Sequence, residues 1–401
     1  MKTTDNTGNS RRKFLKNLAV ASVGASGLLS ATSGFAHAAN VAAAIKSSNR
    51  KIRDWLIIDG LGAIYDPNFD YAANPDVDPY LITERAKRDI RASGLTVLRQ
   101  TTGAVKASYP GDNTLETAIS NISWVHEWIY RNSDFLTLIK SADDILAAKK
   151  NNQVGVTLGF QNSHVLGKNV EMVDVFRALG VLTMQLTYNG QNQLGGGANV
   201  NEKIKLTDFG HKAVEKMNDS KVIIDLSHAG RQTCLDAIKA SKSPLTISHS
   251  GCRALADFPR NKTDQEMKLL ADNGGLFGLY FMPFLAADSN ATGSHLVAHI
   301  EHALNICGED HVSFGTDGTY VGIDDMEKHR ENTAKFTQRR LDSGTAAAGE
   351  KIGNVNLLPD LAGPEQFLRI ADMLSSRGHK EATIEKIFGR NSMRLMQEVW
   401  G

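Results

Sequence analysis

Two stretches decide the fold: Val222-Ile223-Ile224-Asp225-Leu226-Ser227-His228 and Leu245-Thr246-Ile247-Ser248-His249-Ser250. Each is a short β-branched run that ends in small and polar residues, with a histidine at the end. A helix-length segment, Gln232–Ser241, lies between them. Strand, helix, strand with both histidines at the same ends reads as two adjacent parallel strands, with imidazoles at the edge where α/β proteins build their sites.

Six more runs of the same character extend the pattern in both directions: Trp55–Asp59, Leu95–Gln100, Val154–Phe160, Val181–Thr187, Gly275–Phe281 and His311–Thr316. With Lys221–Ser227 and Pro244–Ser248 they make eight. Helical segments separate them, among them Thr83–Ser93, Leu115–Arg131, Ala142–Lys150, Asp208–Asn218, Asp264–Asn273 and His295–Cys307. Eight β-then-α units in series predict a (β/α)8 TIM-type barrel, with extra C-terminal helices over Gly363–Arg377 and Lys380–Val399. No glycine-rich dinucleotide fingerprint follows the first run. The loop Gly190–Asn201, with three consecutive glycines, reads as flexible.

Ser10-Arg11-Arg12-Lys13-Phe14-Leu15-Lys16, a Gly/Ser-rich apolar run and Ala36-His37-Ala38 follow in the order of a twin-arginine export signal. Residues 1–38 are therefore expected to be a signal peptide and 39–401 the barrel. The expected location is periplasmic, or otherwise exported, with the twin-arginine machinery as a partner. Removing the five basic residues and one acid of that segment from totals of 45 and 44 leaves a net charge of −3. Such a balance gives no electrostatic footing for nucleic acid. Cys234, Cys252 and Cys307 are too few and too widely spaced for a disulfide framework.

The strand ends collect Asp59, Gln161, Tyr188, His228, His249 and Asp317, with His164 just beyond Gln161. Neutral imidazole is a common Zn²⁺ ligand, and a nearby acid can take the proton of an activated water. The strand ends carry no lysine or paired carboxylates of the kind a sugar- or phosphate-using barrel would need.

The chain resembles the membrane dipeptidase (renal dipeptidase) family of zinc peptidases. The matching stretches include Ile58-Asp59-Gly60, Gly159-Phe160-Gln161-Asn162-Ser163-His164, Leu186-Thr187-Tyr188-Asn189, Leu206-Thr207-Asp208-Phe209-Gly210, Ile224-Asp225-Leu226-Ser227-His228, Ile247-Ser248-His249-Ser250, Pro259-Arg260-Asn261, Gly315-Thr316-Asp317-Gly318 and Gly389-Arg390-Asn391-Ser392-Met393-Arg394. The resemblance implies a barrel with a two-zinc centre that hydrolyses dipeptides. It makes His228 and His249 ligands of one metal, Asp317 the acid/base, and Arg260 the grip on a substrate carboxylate. His164 and Tyr188 fall at positions near substrate.

Four positions depart from the pattern, one of them Tyr188, where the family has a histidine after strand four that touches substrate. The family's His-x-Asp zinc pair reads Leu61 and Ala63, and its bridging glutamate reads Gln161. Leucine and alanine cannot ligate, and a neutral amide cannot hold two divalent cations together. The expectation is a one-zinc site of His228, His249 and Gln161 acting on a small peptidic substrate; a homodimer is compatible with it. The alternative is a dipeptidase-like protein without hydrolytic activity, which binds or helps mature a peptidic natural product such as a siderophore precursor. Asp59, Asp66 and Asp70 are the acids of the first strand and its loop that could supply a missing ligand.

Overall fold

The computed structural model describes residues 52, 54–70, 73–74, 76–103, 105 and 114–401. The proposed signal peptide, 1–38, lies outside the described residues. The order of elements is β1 (Ile58–Asp59), α1 (Glu84–Ser93), β2 (Val97–Thr101), α2 (Thr114–Arg131), β3 (Leu136–Leu138), α3 (Ala142–Lys150), β4 (Val154–Phe160), α4 (Met172–Ala178), β5 (Val181–Gln185), α5 (Asp208–Asp219), β6 (Ile223–Asp225), α6 (Arg231–Ala240), β7 (Thr246–Ser250), α7 (Asp264–Asp272), β8 (Leu276–Leu279), α8 (Gly293–Cys307) and β9 (Val312–Phe314). Four further helices follow: α9 (Met326–Asp342), α10 (Gln366–Ser376), α11 (Glu381–Glu385) and α12 (Asn391–Trp400).

All strand pairs are parallel, in the order β1-β2-β4-β5-β6-β7-β8-β9. Gly60 N–H donates to Phe314 O across the seam between the last strand and the first, so the eight strands form a nearly closed (β/α)8 barrel. The ninth strand, β3, pairs with Val154–Val156 of β4, while β5 pairs with β4 farther along, from Leu158 to Phe160.

The helices start where side-chain chemistry dictates. Thr207 caps α5 through Gly210 N–H, and Thr263 with Glu266 forms a capping box on α7. The barrel interior splits into two zones. Near the N-terminal ends of the strands, Ile58, Val97, Leu182, Ile223 and Leu276 pack with Met393 and Trp400 of α12. The C-terminal helix therefore plugs the end opposite the histidines. Each such buried side chain contributes about 1.5–3 kcal/mol. Among the described residues no helix is long and apolar enough to cross a membrane.

Several strands end earlier than their apolar runs. β6 stops at Asp225 and β9 at Phe314. Two buried carboxylates take up the backbone groups freed there. Asp225 Oδ1 accepts from the backbone N–H groups of Ser227 and Ser248. Asp59 Oδ1 accepts from those of Leu61 and Thr316, and its Oδ2 accepts from the hydroxyls of Thr316 and Tyr320. Asp59 thus closes the barrel seam. Burial pushes its carboxyl up to about 6, against the pull of those hydrogen bonds. Asp59→Ala would orphan two buried N–H groups and two hydroxyls. It is expected to cost about 3–5 kcal/mol, read as a lower urea midpoint at unchanged m-value. A loss below 1 kcal/mol would rule out this role at the seam.

The triple-glycine stretch is a point of close packing rather than a flexible loop. Gly197 bridges to Ala229, and a Cβ on Gly197 would collide with the carbonyl of Tyr188. That approach locks the Tyr188 loop against the His228 loop. All three cysteines are buried and unpaired.

Candidate active site at the mouth of the barrel

A cavity of about 900 Å³ opens at the C-terminal ends of the strands. Its wall includes Gln161, Tyr188, His228, Arg260, Asp317 and Arg340, together with Tyr280, Phe281 and Phe284. His249 lies directly behind His228. Their Nε2 atoms are 3.1 Å apart, and Tyr188 stacks on His228 at 4.1 Å between ring centres.

The hydrogen bonds assign the tautomers of both histidines. Asn189 Nδ2 donates to Thr345 O, which turns Oδ1 toward His228 Nδ1 at 2.7 Å. His228 must therefore carry its proton on Nδ1. His249 Nδ1 faces Ser248 Oγ at 2.8 Å. Ser248 has a single hydroxyl proton and gives it to Asp225 Oδ2 at 2.6 Å. His249 must then donate from Nδ1. Burial, reinforced by the nearby Arg260 guanidinium, pushes both imidazoles well below their usual pKa. Two neutral rings therefore aim Nε2 lone pairs at one point.

Two acceptors facing each other at this distance lack a proton between them, and a cation relieves the conflict. Two imidazoles on one tetrahedral Zn²⁺ would stand about 3.3 Å apart. The pair fits the zinc that the family resemblance implies as a single ion. The residues do not fit a two-metal centre. Among the described residues no group of three or more His, Cys, Asp or Glu side chains is gathered to hold a metal. Leu61 is a buried apolar residue whose N–H is bound to Asp59. None of the three acids from the first strand and loop supplies a ligand. Asp59 is consumed at the seam, Asp66 is bonded to Asn68 and Thr83, and Asp70 sits exposed, accepting from Ala73 N–H. Gln161 lines the cavity, and its amide has no hydrogen-bond partner among the described residues.

Behind the histidines lies a buried ion pair. Arg99 Nη1 meets Asp225 Oδ2 at 2.6 Å, with side chains 5% and 0% exposed. Arg99 Nη2 also donates to Ser248 Oγ. Burial raises the Asp225 carboxyl, but Arg99 and the two serine hydroxyls outweigh it and hold it below the usual range. Strand alternation counted from His228 would turn Asp225 away from the site. The count fails because β6 ends at Asp225 and the chain bends before His228.

Asp317 sits where the chain leaves β9, in a left-handed conformation (φ 53°) that few non-glycine residues adopt. Its N–H donates to Leu61 O at 2.7 Å, and Ala63 N–H donates to Gly318 O, which holds the turn. The carboxylate is half-buried and has no hydrogen-bond partner among the described residues. Burial raises it to about 6, although Arg260 and Arg340 pull the other way. That places a proton acceptor near neutrality in the cavity wall.

Arg260 is 3% exposed and crosses two loops. It donates to the carbonyls of Ser227 and His249 (2.9 Å to the latter), leaving its other N–H groups for the cavity. His164 is not brought to this cavity: its Nδ1 bonds Gln193 Oε1 at 2.9 Å. Arg340, which the sequence does not single out, reaches the site from α9. Its Nη1 donates to the Tyr188 hydroxyl at 3.1 Å, and Glu350 holds its other side.

Comparison with known proteins places the chain in a family and supports the barrel fold. An amidohydrolase from Pseudomonas aeruginosa superposes with a TM-score of 0.73 at 30% identity, covering 88% of this chain and 99% of that one. A metallo peptidase from Rhodobacter sphaeroides, liganded with a phosphinate mimic of the dipeptide L-Ala-D-Ala, superposes with a TM-score of 0.69. Its identity is 16%, with 86% of this chain and all of that one covered, so the likeness is one of fold. Dipeptidase tcpJ of Claviceps purpurea (strain 20.1) is 28% identical over 235 residues, which make up 56% of this chain and 55% of tcpJ. The chain therefore spans about half the length of that relative. The family model described as membrane dipeptidase (Peptidase family M19) matches residues 101–358, from the second strand through the cavity to the loop beyond α9, and this chain belongs to that family.

Proposed function

We propose that this protein is an exported hydrolase of dipeptides or related small amides that works with one zinc ion. The observation that carries this reading is the pair of Nε2 lone pairs, 3.1 Å apart, beside a cavity that also holds Asp317. His228 and His249 would hold the ion, with the Gln161 amide oxygen as the remaining protein donor. When bound, the ion supplies a Lewis acid that polarises a carbonyl and acidifies water.

The protein's own residues do the rest. Asp317 accepts the proton of the attacking water as its oxygen bonds to the amide carbon and the carbonyl electron pair moves onto oxygen. The same proton passes to the amine nitrogen as the C–N bond breaks. Arg260 faces a substrate carboxylate with its unused N–H groups. Phe281 and Phe284 exclude bulk water and strengthen these interactions. The Arg-Arg signature near the N-terminus supports passage through the twin-arginine machinery, a route that delivers folded, metal-loaded proteins.

A second reading is a dipeptidase-like binding or maturation protein without turnover. Leu61, Ala63 and Gln161 favour it, as does the lack of a three-ligand cluster among the described residues. One experiment separates the two readings. The purified protein is measured for zinc and assayed on L-Ala-L-Ala and L-Ala-D-Ala. About one zinc per chain with turnover is expected, both lost in His228→Ala. If the parent shows neither metal nor turnover, the hydrolase reading falls. The triple change Leu61→His, Ala63→Asp and Gln161→Glu should raise metal content toward two. No gain would mean that these positions do not face a second metal site.

A further inference from the structure

α9 carries no apolar stripe. Only Thr333 and Thr337 of its 17 residues are buried, so core packing does not account for its side chains. A helix laid against a barrel ordinarily turns such a stripe inward. Here one face, at helical spacing, holds His329, Asn332, Phe336, Arg339, Arg340 and Ser343, and all six line the cavity. Charge is sorted on the helix as well. Its acids, Glu327, Glu331 and Asp342, lie off that face, while Arg339 and Arg340 lie on it.

The two arginines differ in what they have left to give. Nε and Nη2 of Arg340 fork onto the Glu350 oxygens at 2.7 and 3.1 Å, and its Nη1 donates to the Tyr188 hydroxyl. Arg339 is exposed in the cavity wall, and its guanidinium has no partner among the described residues.

Phe336 precedes Arg339 by three residues, so the two side chains are neighbours on the helix surface. The Arg340 guanidinium lies 5.5 Å from the centre of the Phe336 ring, yet 45% of Phe336 stays exposed. Tyr65, 41% exposed, lines the same cavity, as do Leu357 and Leu361. Large apolar side chains left open in a concave wall mark a surface for ligand contact. The size of the cavity points the same way. Its volume of about 900 Å³ is near the top of the roughly 300–1,000 Å³ range that encloses drug-sized ligands. A dipeptide of alanine, with its carboxylate at Arg260, would leave most of that space to water.

We propose that the cavity takes an amide that carries, beyond the scissile bond and the carboxylate at Arg260, a bulky apolar group ending in a second anion. The apolar group packs on Phe336, and the anion meets the unused fork of Arg339, whose planar shape suits a carboxylate. These two residues of α9 therefore set substrate preference. This rests on reading the cavity as an amide-hydrolysing site.

The test uses the full-length protein with zinc and a set of dipeptides: L-Ala-L-Ala, and the same peptide with phenylalanine or 4-carboxyphenylalanine at either position. At one position, kcat/KM should rise about 10-fold with the ring and a further three- to five-fold or so with its carboxylate. Both gains should come through KM, since contacts made equally in ground and transition states leave kcat unchanged. Arg339→Met should erase the carboxylate's share of the preference, and about 0.5 M NaCl should shrink it. Phe336→Ala should erase most of the ring's share. A merely structural role would lower all substrates together and leave their ratios intact. The proposal is overturned if neither position gives the carboxyphenyl peptide more than about a two-fold preference over L-Ala-L-Ala, or if the two variants keep the parent's ratios. Binding of phosphinic analogues of the same peptides separates this inference from the hydrolase reading. A parent that cleaves L-Ala-L-Ala without any preference overturns the inference alone. A parent that binds the analogues with the expected preference but cleaves no peptide overturns the hydrolase reading alone. A parent that neither cleaves nor binds overturns both.

Discussion

Asp317→Asn is expected to lower kcat by about 10²–10⁴-fold while leaving zinc content unchanged. Asparagine keeps the shape and tolerates the left-handed backbone at this position, but cannot accept the proton of water. In the parent, kcat/KM should rise with pH through about 6, as the Asp317 carboxyl ionises. The groups that face it electrostatically are Arg260, Arg340, Arg99 and Glu350. Arg260 and Arg340 stay charged through this range, and His228 and His249 stay neutral, so the acid limb belongs to Asp317. The variant should lose that limb.

The stability effect runs the other way. The folded pKa of Asp317 lies above its unfolded value of 3.8. Its contribution is therefore fully present below 3.8 and lost as pH rises through about 6. At pH 7 the ionised carboxylate opposes folding, and Asp317→Asn should gain on the order of 2 kcal/mol in urea titrations. Activity falling while stability rises would separate chemistry from packing. A variant that loses both would place Asp317 among the structural residues.

Arg99→Met is expected to cost as much stability as Asp59→Ala. It leaves the Asp225 carboxylate buried without its cation, which costs about 3–5 kcal/mol. Asp225 is held below the usual range in the parent, so its contribution is present above pH 3.8 and lost as pH falls through its folded value. Without Arg99 that contribution disappears and acid unfolding should begin at higher pH. The double variant Arg99→Met, Asp225→Leu should recover much of the stability, because an apolar pair can replace a buried ion pair at little cost.

Zinc affinity should not recover with it. Ser248 would have lost the acceptor for its proton and could donate to His249 Nδ1 instead, which moves the His249 proton to Nε2. Zinc retention and imidazole ¹⁵N shifts measure this. A double variant that regains both stability and zinc would show that Asp225 does not set the tautomer.

Much of the barrel is readable in the sequence because its strands are buried on both faces and appear as short apolar runs between amphipathic helices. The elements that escape are those without such a signal. β3 has three residues and α4 has seven. α9 is 17 residues long, but only Thr333 and Thr337 are buried, so it carries no apolar stripe for periodicity to find. Missing α9 means missing Arg340.

Within the site, Gln161, Tyr188, His228 and Asp317 are visible as residues at or near strand ends and Arg260 through the family resemblance, and the fold gathers all five around one cavity. His164, three residues after Gln161, is carried away from the cavity by the short helical turn Ser163–Leu166. Arg99 stands out only as a lone charge in an apolar run, without indication of its partner.

By itself, the sequence determined the barrel and the two histidines at its mouth. These follow from local pattern and side-chain identity. Only the tertiary structure decided how the histidines are protonated, which acids remain free and what touches Tyr188. Those outcomes depend on hydrogen bonds between residues 126 positions apart in Arg99–Asp225 and 152 apart in Arg340–Tyr188. A single proton on Ser248 fixes the lone pair of His249 because Asp225 has already claimed it, and that order of claims exists only once the strands are side by side.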